Sequence, residues 1–380
     1  MDSRERVLAA LDGRIPDRVP VGEYAIGFDL IEKIIGHPTY LCAGAKSQIA
    51  FWEGRHDEVA ESLISDHIEL HEKLDLDIVA FSPGTWSIPP LTDDLPPRRI
   101  DDTTWKDKYG RVWQYVESTA EIACVHDPVA AEKSFSVSEF WVESTLPVAD
   151  ERSWQVLDAV IQRFKDDKFI CGPSGGEIGI VMLGGVERGL EMLREQPEVV
   201  RAATTFMLRR QNLTDEVLIH PNADGVLWGA DLSRERGPLI DLETFRTFFL
   251  EANQARARNV HDKYSKRIIK HCCGDVKGML DLFVEMGYDA YHVLESSPEM
   301  DLCALKEQYG SQITLWGGVP SDRLVNGTPE QVRQEVRRAM ACAKPGGRFI
   351  LGSSQTPSRG IQYDNFMAML DEHYKLGAYS

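Results

Sequence analysis

Short apolar runs, each closed by Gly, Pro or a polar cluster, recur along the chain. Eight of them read as strands: 18–21 (RVPV), 77–81 (DIVAF), 168–171 (KFIC), 225–229 (GVLWG), 267–271 (RIIKH), 290–294 (AYHVL), 313–316 (ITLW) and 348–351 (RFIL). They are brief and rich in β-branched or aromatic residues, as strands buried on both faces are. Helical periodicity fills the gaps at 242–257, 276–286 and 331–343. The last follows Thr328-Pro329-Glu330, an N-cap with Pro in the first turn, and the second runs into Gly287, a C-cap residue. Alternating strands and helices predict a parallel sheet wrapped by helices, and eight strands predict a closed (β/α)8 barrel.

One stretch breaks the repeat. Residues 82–167 are too long for a single βα unit and contain the proline-rich SIPPLTDDLPPRR, with one β-like piece at 110–115. They read as an insertion over the barrel mouth, a lid or pocket wall, within a single α/β TIM-barrel domain spanning 1–380.

Composition narrows the picture further. The 60 Asp+Glu outnumber the 42 Lys+Arg, for a formal charge of −18, which argues against binding nucleic acid through its phosphates. The opening MDSRERVLAALDG has no apolar core of a signal peptide, and the longest apolar stretch, 178–186, is far short of a spanning helix. Seven cysteines at irregular spacing are no disulfide framework. The expectation is a cytoplasmic protein with reduced thiols and no membrane contact.

Barrel active sites lie where the strands end at their carboxyl side. Those ends carry Ser82-Pro83-Gly84, the run from Gly172 through Gly175, Gly176 and Glu177, then Asp231, His271-Cys272-Cys273, Glu295, Gly317-Gly318 and Ser353-Ser354-Gln355. Alternation along an extended chain puts His271 and Cys273 on one face and Cys272 on the other. Imidazole and thiolate together suit Zn²⁺, with a third ligand to come from Glu177, Asp231, His292 or Glu295. Asp231 and Glu177 are the candidate catalytic carboxylates. Gly175, Gly176, His292, Glu295, Ser354 and Gln355 are the candidate substrate contacts. A buried core histidine is the competing reading of His292, and an ion-pair member that of Asp231.

Four segments together resemble the uroporphyrinogen decarboxylase superfamily. They are SRERVLAALDGRIPDRVPV (3–21), NADGVLWGADLSRERGPLIDLETF (222–245), IIKHCCGDVKGMLDLFVEMGYDAYHVLES (268–296), and LWGGVPSDRLVNGTPEQVRQEVRRAM continued by GGRFILGSSQTPSRGIQYDNFMAM (315–369). The resemblance implies a single (β/α)8 barrel and one of two chemistries. The decarboxylases hold a porphyrinogen with an arginine-rich segment after the first strand. Here that segment reads VGEYAIGFDLIEK and contains no Arg. The other branch transfers methyl groups to or from a corrinoid protein, with zinc bound by an H-x-C … C pattern. His271 and Cys273 match its first two positions, whereas the last reads Gly352-Ser353-Ser354-Gln355. The resemblance therefore implies zinc on His271 and Cys273, acting as Lewis acid on a small methylated substrate. Without the last Cys, either the third ligand comes from elsewhere, Glu177 being the candidate, or the site holds metal weakly or not at all, and the less thiolate-rich site points to an O- or N-methyl compound such as an aryl methyl ether. The chain has no D-x-H-x-x-G corrinoid motif, so the corrinoid would ride on a separate carrier protein. A metal-free decarboxylase and a non-catalytic small-molecule-binding barrel are the alternatives.

Overall fold

Parallel pairing dominates the computed structural model, which describes residues 1–90, 95–128, 133–146, 152–234, 237–292, 300–355 and 359–379. In chain order its strands begin with β1 (Ile78–Ala80), β2 (Arg98–Arg99), β3 (Thr104–Lys106), β4 (Val112–Val116), β5 (Glu121–His126) and β6 (Phe169–Gly172). They continue with β7 (Gly225–Trp228), β8 (Ser233–Arg234), β9 (Gly237–Pro238), β10 (Arg267–His271), β11 (Ala290–His292), β12 (Thr314–Val319) and β13 (Phe349–Ser353). Among the described residues, β1, β6, β7, β10, β11, β12 and β13 pair in that order, every pair parallel. The eighth predicted strand closes the ring without forming a full ladder. Leu351 N–H donates to Pro20 O (2.9 Å), Gly22 N–H to Leu351 O (3.0 Å) and Asp77 N–H to Val21 O (2.8 Å), so residues 18–22 join β13 to β1. The protein is an α/β TIM barrel.

The strands are buried on both faces, and their alternation sorts the side chains. Ile78 and Ala80, Phe169 and Cys171, Ile269, Ala290, Trp316 and Ile350 fill the barrel interior. Val7, Ala10 and Leu11 of the helix Ser3–Leu11 join them and plug the amino-terminal end. The residues between (Val79, Ile170, Val226, Ile268, Leu315, Leu351) face the surrounding helices.

Three aspartates bind the amino-terminal rim. Asp77, Asp224 and Asp289 each stand one residue before a strand. Each donates its N–H to the carbonyl of a residue on the neighbouring segment and accepts that same residue's N–H on Oδ2. The partners are Val21 (2.8 and 2.9 Å), Ile170 (2.8 and 3.0 Å) and Ile268 (2.9 and 2.7 Å). Their other oxygens take cations: Asp77 holds Arg6 (2.6 Å) and Arg18 (3.2 Å), Asp224 holds Arg4 (2.6 Å), and Asp289 holds Arg267 (3.3 Å).

Within 82–167 the chain builds a four-stranded antiparallel sheet, β2-β3-β4-β5, of which the hydrophobic pattern showed only the piece 110–115 that overlaps β4. Its outer strands β2 and β5 are mostly exposed and β4 only half-buried, so they lack the apolar runs that mark the barrel strands. The predicted helix 242–257 contains a π-helical turn, Arg246–Leu250, and Gly287 caps its helix at φ 84°. The thiol expectation needs one correction. Cys303 and Cys342 form a disulfide, with Cα atoms 5.3 Å apart, while Cys42, Cys124, Cys171, Cys272 and Cys273 are free. A separation of 39 residues hid the pair, because only the packing of helices Leu302–Tyr309 and Pro329–Ala343 brings the two together. Among the described residues no helix is long and apolar enough to cross a membrane.

Candidate active site at the barrel mouth

His271 ends β10 and Cys273 follows it, and both side chains face the barrel axis. His271 Nε2 lies 3.4 Å from Cys273 Sγ. Cys272 points the other way and accepts Leu232 N–H on its sulfur (3.3 Å). Behind His271 stands His292 of β11, fully buried, with the two Nδ1 atoms 2.8 Å apart. His292 also packs on Trp316 (ring centroids 4.7 Å), and its buried Nε2 lies near the Ser353 backbone. Tyr24 covers the other face of His271, stacked at 4.2 Å and 13°. Asp231, exposed at the end of β7, accepts Cys273 N–H (3.3 Å).

Burial sets the protonation states here. It pulls His271 well below the usual imidazole range, helped by His292, and pulls His292 down to about 3, so both rings are neutral. Burial, then the Asp231 charge, pushes the Cys273 thiol up to about 11. A neutral imidazole beside such a thiol is a donor pair that gains from a bound cation, which would draw the proton off sulfur. These two donors fit half of a tetrahedral zinc site. Among the described residues no group of three His, Cys, Asp or Glu stands in metal-binding geometry. Glu295 lies outside the described residues. Ser354 Oγ, on the inner face of the chain after β13, is buried without a partner there.

Other candidates take different places. Glu177 is not brought to His271 and Cys273. Its Oε1 accepts Lys270 Nζ (2.5 Å) and Ala230 N–H (2.8 Å), and its Oε2 accepts the Tyr288 hydroxyl (3.1 Å). Lys270 leaves β10 on the face opposite His271, so this buried pair sits between sheet and helices. Gly175 and Gly176 also serve the scaffold. A Cβ on Gly175 would lie 2.3 Å from Gln211 O, and Gly175 N–H donates to Asp215 (2.8 Å), itself ion-paired with Arg256. Gly176 O accepts Arg256 Nε–H (2.9 Å). The Gln355 backbone brackets the Ser321 hydroxyl, donating to it (3.0 Å) and accepting from it (2.9 Å).

Beside Tyr24 opens a cavity of about 280 Å³. Tyr40, Cys42, Ser82 and Thr85 line it from the barrel side, and Thr119 and Glu121 from the antiparallel sheet. Among the described residues no Lys or Arg lines it. Sequence reasoning passed over Glu23 and Tyr24, although they follow the first predicted strand in VGEYAIG and stand at the same mouth as the other strand ends.

Comparison with known proteins agrees with this architecture. A methyltransferase from Methanosarcina mazei superimposes with a TM-score of 0.64 over 99% of both chains at 16% identity, which is likeness of fold. A structure titled "Native KDPGal structure" matches 63% of this chain and 84% of its own at 14% identity, with a TM-score of 0.26 that carries no argument. No curated protein sequence matches. The family model described as uroporphyrinogen decarboxylase (URO-D) matches residues 176–376, more than half of the chain, and the protein belongs to that family.

Proposed function

We propose that the protein is a methyltransferase of the URO-D family, moving a methyl group between a small O- or N-methylated compound and the corrinoid of a separate carrier protein. The observation that carries this reading is the pairing of His271 Nε2 with Cys273 Sγ at 3.4 Å, at the carboxyl end of the barrel. The fold shared with the Methanosarcina mazei methyltransferase supports it. The cavity supports it too, since a porphyrinogen with many carboxylates needs cationic anchors and, among the described residues, none lines this space.

His271 and Cys273 would hold zinc, which would supply Lewis acidity at the heteroatom of the substrate. The remaining tasks fall to the chain itself. His292 fixes the ring plane of His271 through the Nδ1 contact. Tyr24 covers the His271 face and narrows the entrance. Asp231 holds the Cys273 backbone in place. Thr119 and Glu121 close the cavity on the side of the antiparallel sheet, where a carrier would approach.

Incubation with zinc, free cob(I)alamin and a panel of aryl methyl ethers tests the reading by the absorbance change on methylation of cobalt. Wild type should methylate it and His271→Ala should not. A protein that takes up no zinc and instead decarboxylates a porphyrinogen would sink the proposal.

A further inference from the structure

The cavity continues inward. Tyr24, Cys42, Ser82 and Thr85 line both it and a smaller chamber of about 20 Å³, which Glu23, His67 and His71 also line. His67 and His71 stack one helical turn apart on the helix His56–Leu74 (ring centroids 6.0 Å). Both are buried. The Thr85 backbone lies within reach of one ring nitrogen of His67, and among the described residues its other nitrogen and His71 Nδ1 have no hydrogen-bond partner. Each neutral imidazole carries one N–H and one lone pair that require partners. The chamber volume exceeds the roughly 10–15 Å³ that one water occupies, and its walls offer the polar contacts such a water needs. Glu23 is fixed by Ser353, whose N–H donates to Oε1 (2.9 Å) and whose hydroxyl donates to Oε2 (2.5 Å).

We propose that this chamber is a proton relay: Glu23, through one water held by His67 and His71, delivers a proton to a ligand in the cavity and recovers it from solvent. The chamber stands on geometry alone, whereas its role in turnover rests on the methyl-transfer reading. When a methyl group leaves a heteroatom, the C–X bond breaks and its electron pair stays on X. The Glu23 proton passes to the water, a proton of that water passes to X, and an X–H bond forms. Glu23 is left as carboxylate until solvent reprotonates it.

Among the described residues, the titratable groups on the chamber walls are Glu23, Tyr24, Cys42, His67 and His71, with no Lys or Arg. Burial pushes Cys42 up to about 11 and Tyr24 above its usual range, and pulls His67 down to about 4 and His71 to about 3. Those four keep their neutral forms at neutral pH. Burial raises Glu23 to about 7, against the two Ser353 donors that favour its carboxylate. It is the wall group that exchanges a proton in the working range.

An infrared titration of the full chain across neutral pH, following the carbonyl stretch of a protonated carboxyl, tests the chamber. The band should vanish as pH rises through about 7 in wild type and be missing in Glu23→Gln. In Ser353→Ala it should persist to higher pH, because a donor to the carboxylate is gone. A wild type with no titrating band, or a band that survives in Glu23→Gln, overturns the proposal. The pH profile of methyl transfer tests the role: Glu23→Gln should lose at least tenfold in kcat with little change in KM, and His67→Phe should do the same. Unchanged kcat in both overturns the relay and leaves methyl transfer standing. Absence of methyl transfer from every variant, with Glu23 still titrating, overturns the functional reading and leaves the chamber.

Discussion

His271 and His292 meet Nδ1 to Nδ1 at 2.8 Å, so one ring must donate and the other accept. If His271 donates, its Nε2 presents a lone pair beside Cys273 Sγ, the form that binds a metal. If His292 donates, His271 Nε2 carries the hydrogen instead. A bound metal selects the first setting. His292→Ala removes the acceptor that supports it, and zinc affinity should fall about 10–100-fold. Competition against a chromophoric chelator measures this, and an unchanged affinity would show that His271 is oriented without His292.

Glu177 and Lys270 form a buried pair with side chains almost fully covered. Removing one partner strands the other charge. Lys270→Met should therefore cost about 3–5 kcal/mol in denaturant unfolding. The double variant Lys270→Met/Glu177→Gln should recover part of that loss. Zinc binding should be the same in Glu177→Gln as in wild type, and a large drop there would return Glu177 to the ligand set.

At the opposite end of the barrel, Asp77 is fully buried and holds Arg6, itself nearly buried. Asp77→Ala should cost about 3–5 kcal/mol, because Arg6 loses its buried counter-charge and keeps only the half-exposed Asp17, while Val21 N–H loses its acceptor. Urea unfolding followed by tryptophan fluorescence gives the figure. A cost under about 1 kcal/mol would mean that solvent reaches Arg6 once the carboxylate is gone.

Stability should fall away from a middle pH on both sides. His67 and His71 titrate at about 4 and 3 when folded, against 6.5 unfolded. Between these values only the unfolded chain binds the protons, so stability drops as pH falls below about 6.5. For His67 the loss is on the order of 3 kcal/mol, and His67→Gln should remove it. Glu23 acts on the other side. Folded, it keeps its proton up to about pH 7, while the unfolded group loses it near 4.5. Stability therefore drops as pH rises between these values, and Glu23→Gln should flatten that limb. Denaturant midpoints measured across pH for the three proteins check both slopes.

The barrel was legible because its strands are buried on two faces and so appear as unbroken apolar runs. Seven of the eight predicted runs became ladder strands, and residues 18–21 became the seam that closes them. The antiparallel sheet was not legible, since β5 exposes most of its residues and its pattern is that of a loop. At the site, strand alternation placed His271 with Cys273. The same alternation, applied to Lys270, would have warned that a carboxylate bound there sits outside the barrel. Glycines near a strand end suggested a ligand, but Gly175 answers to Gln211 of a packed helix, a contact no local pattern records. Glu23 and Tyr24 were missed because their strand was counted but its end was not.

The paired bonds at Asp77, Asp224 and Asp289 reach beyond ion pairing. How far each strand is displaced along its neighbour sets the shear of a barrel, and with it the tilt of the strands and the width of the ring. Each aspartate grips a single residue across the seam through both backbone and carboxylate, so a slip of one residue would break two bonds at once. Three such stops, spaced around the floor, fix the heights at which the strands emerge at the other end. The distance between His271 on β10 and His292 on β11 is therefore set in part from below, by Asp289 pinned to Ile268 across the same seam.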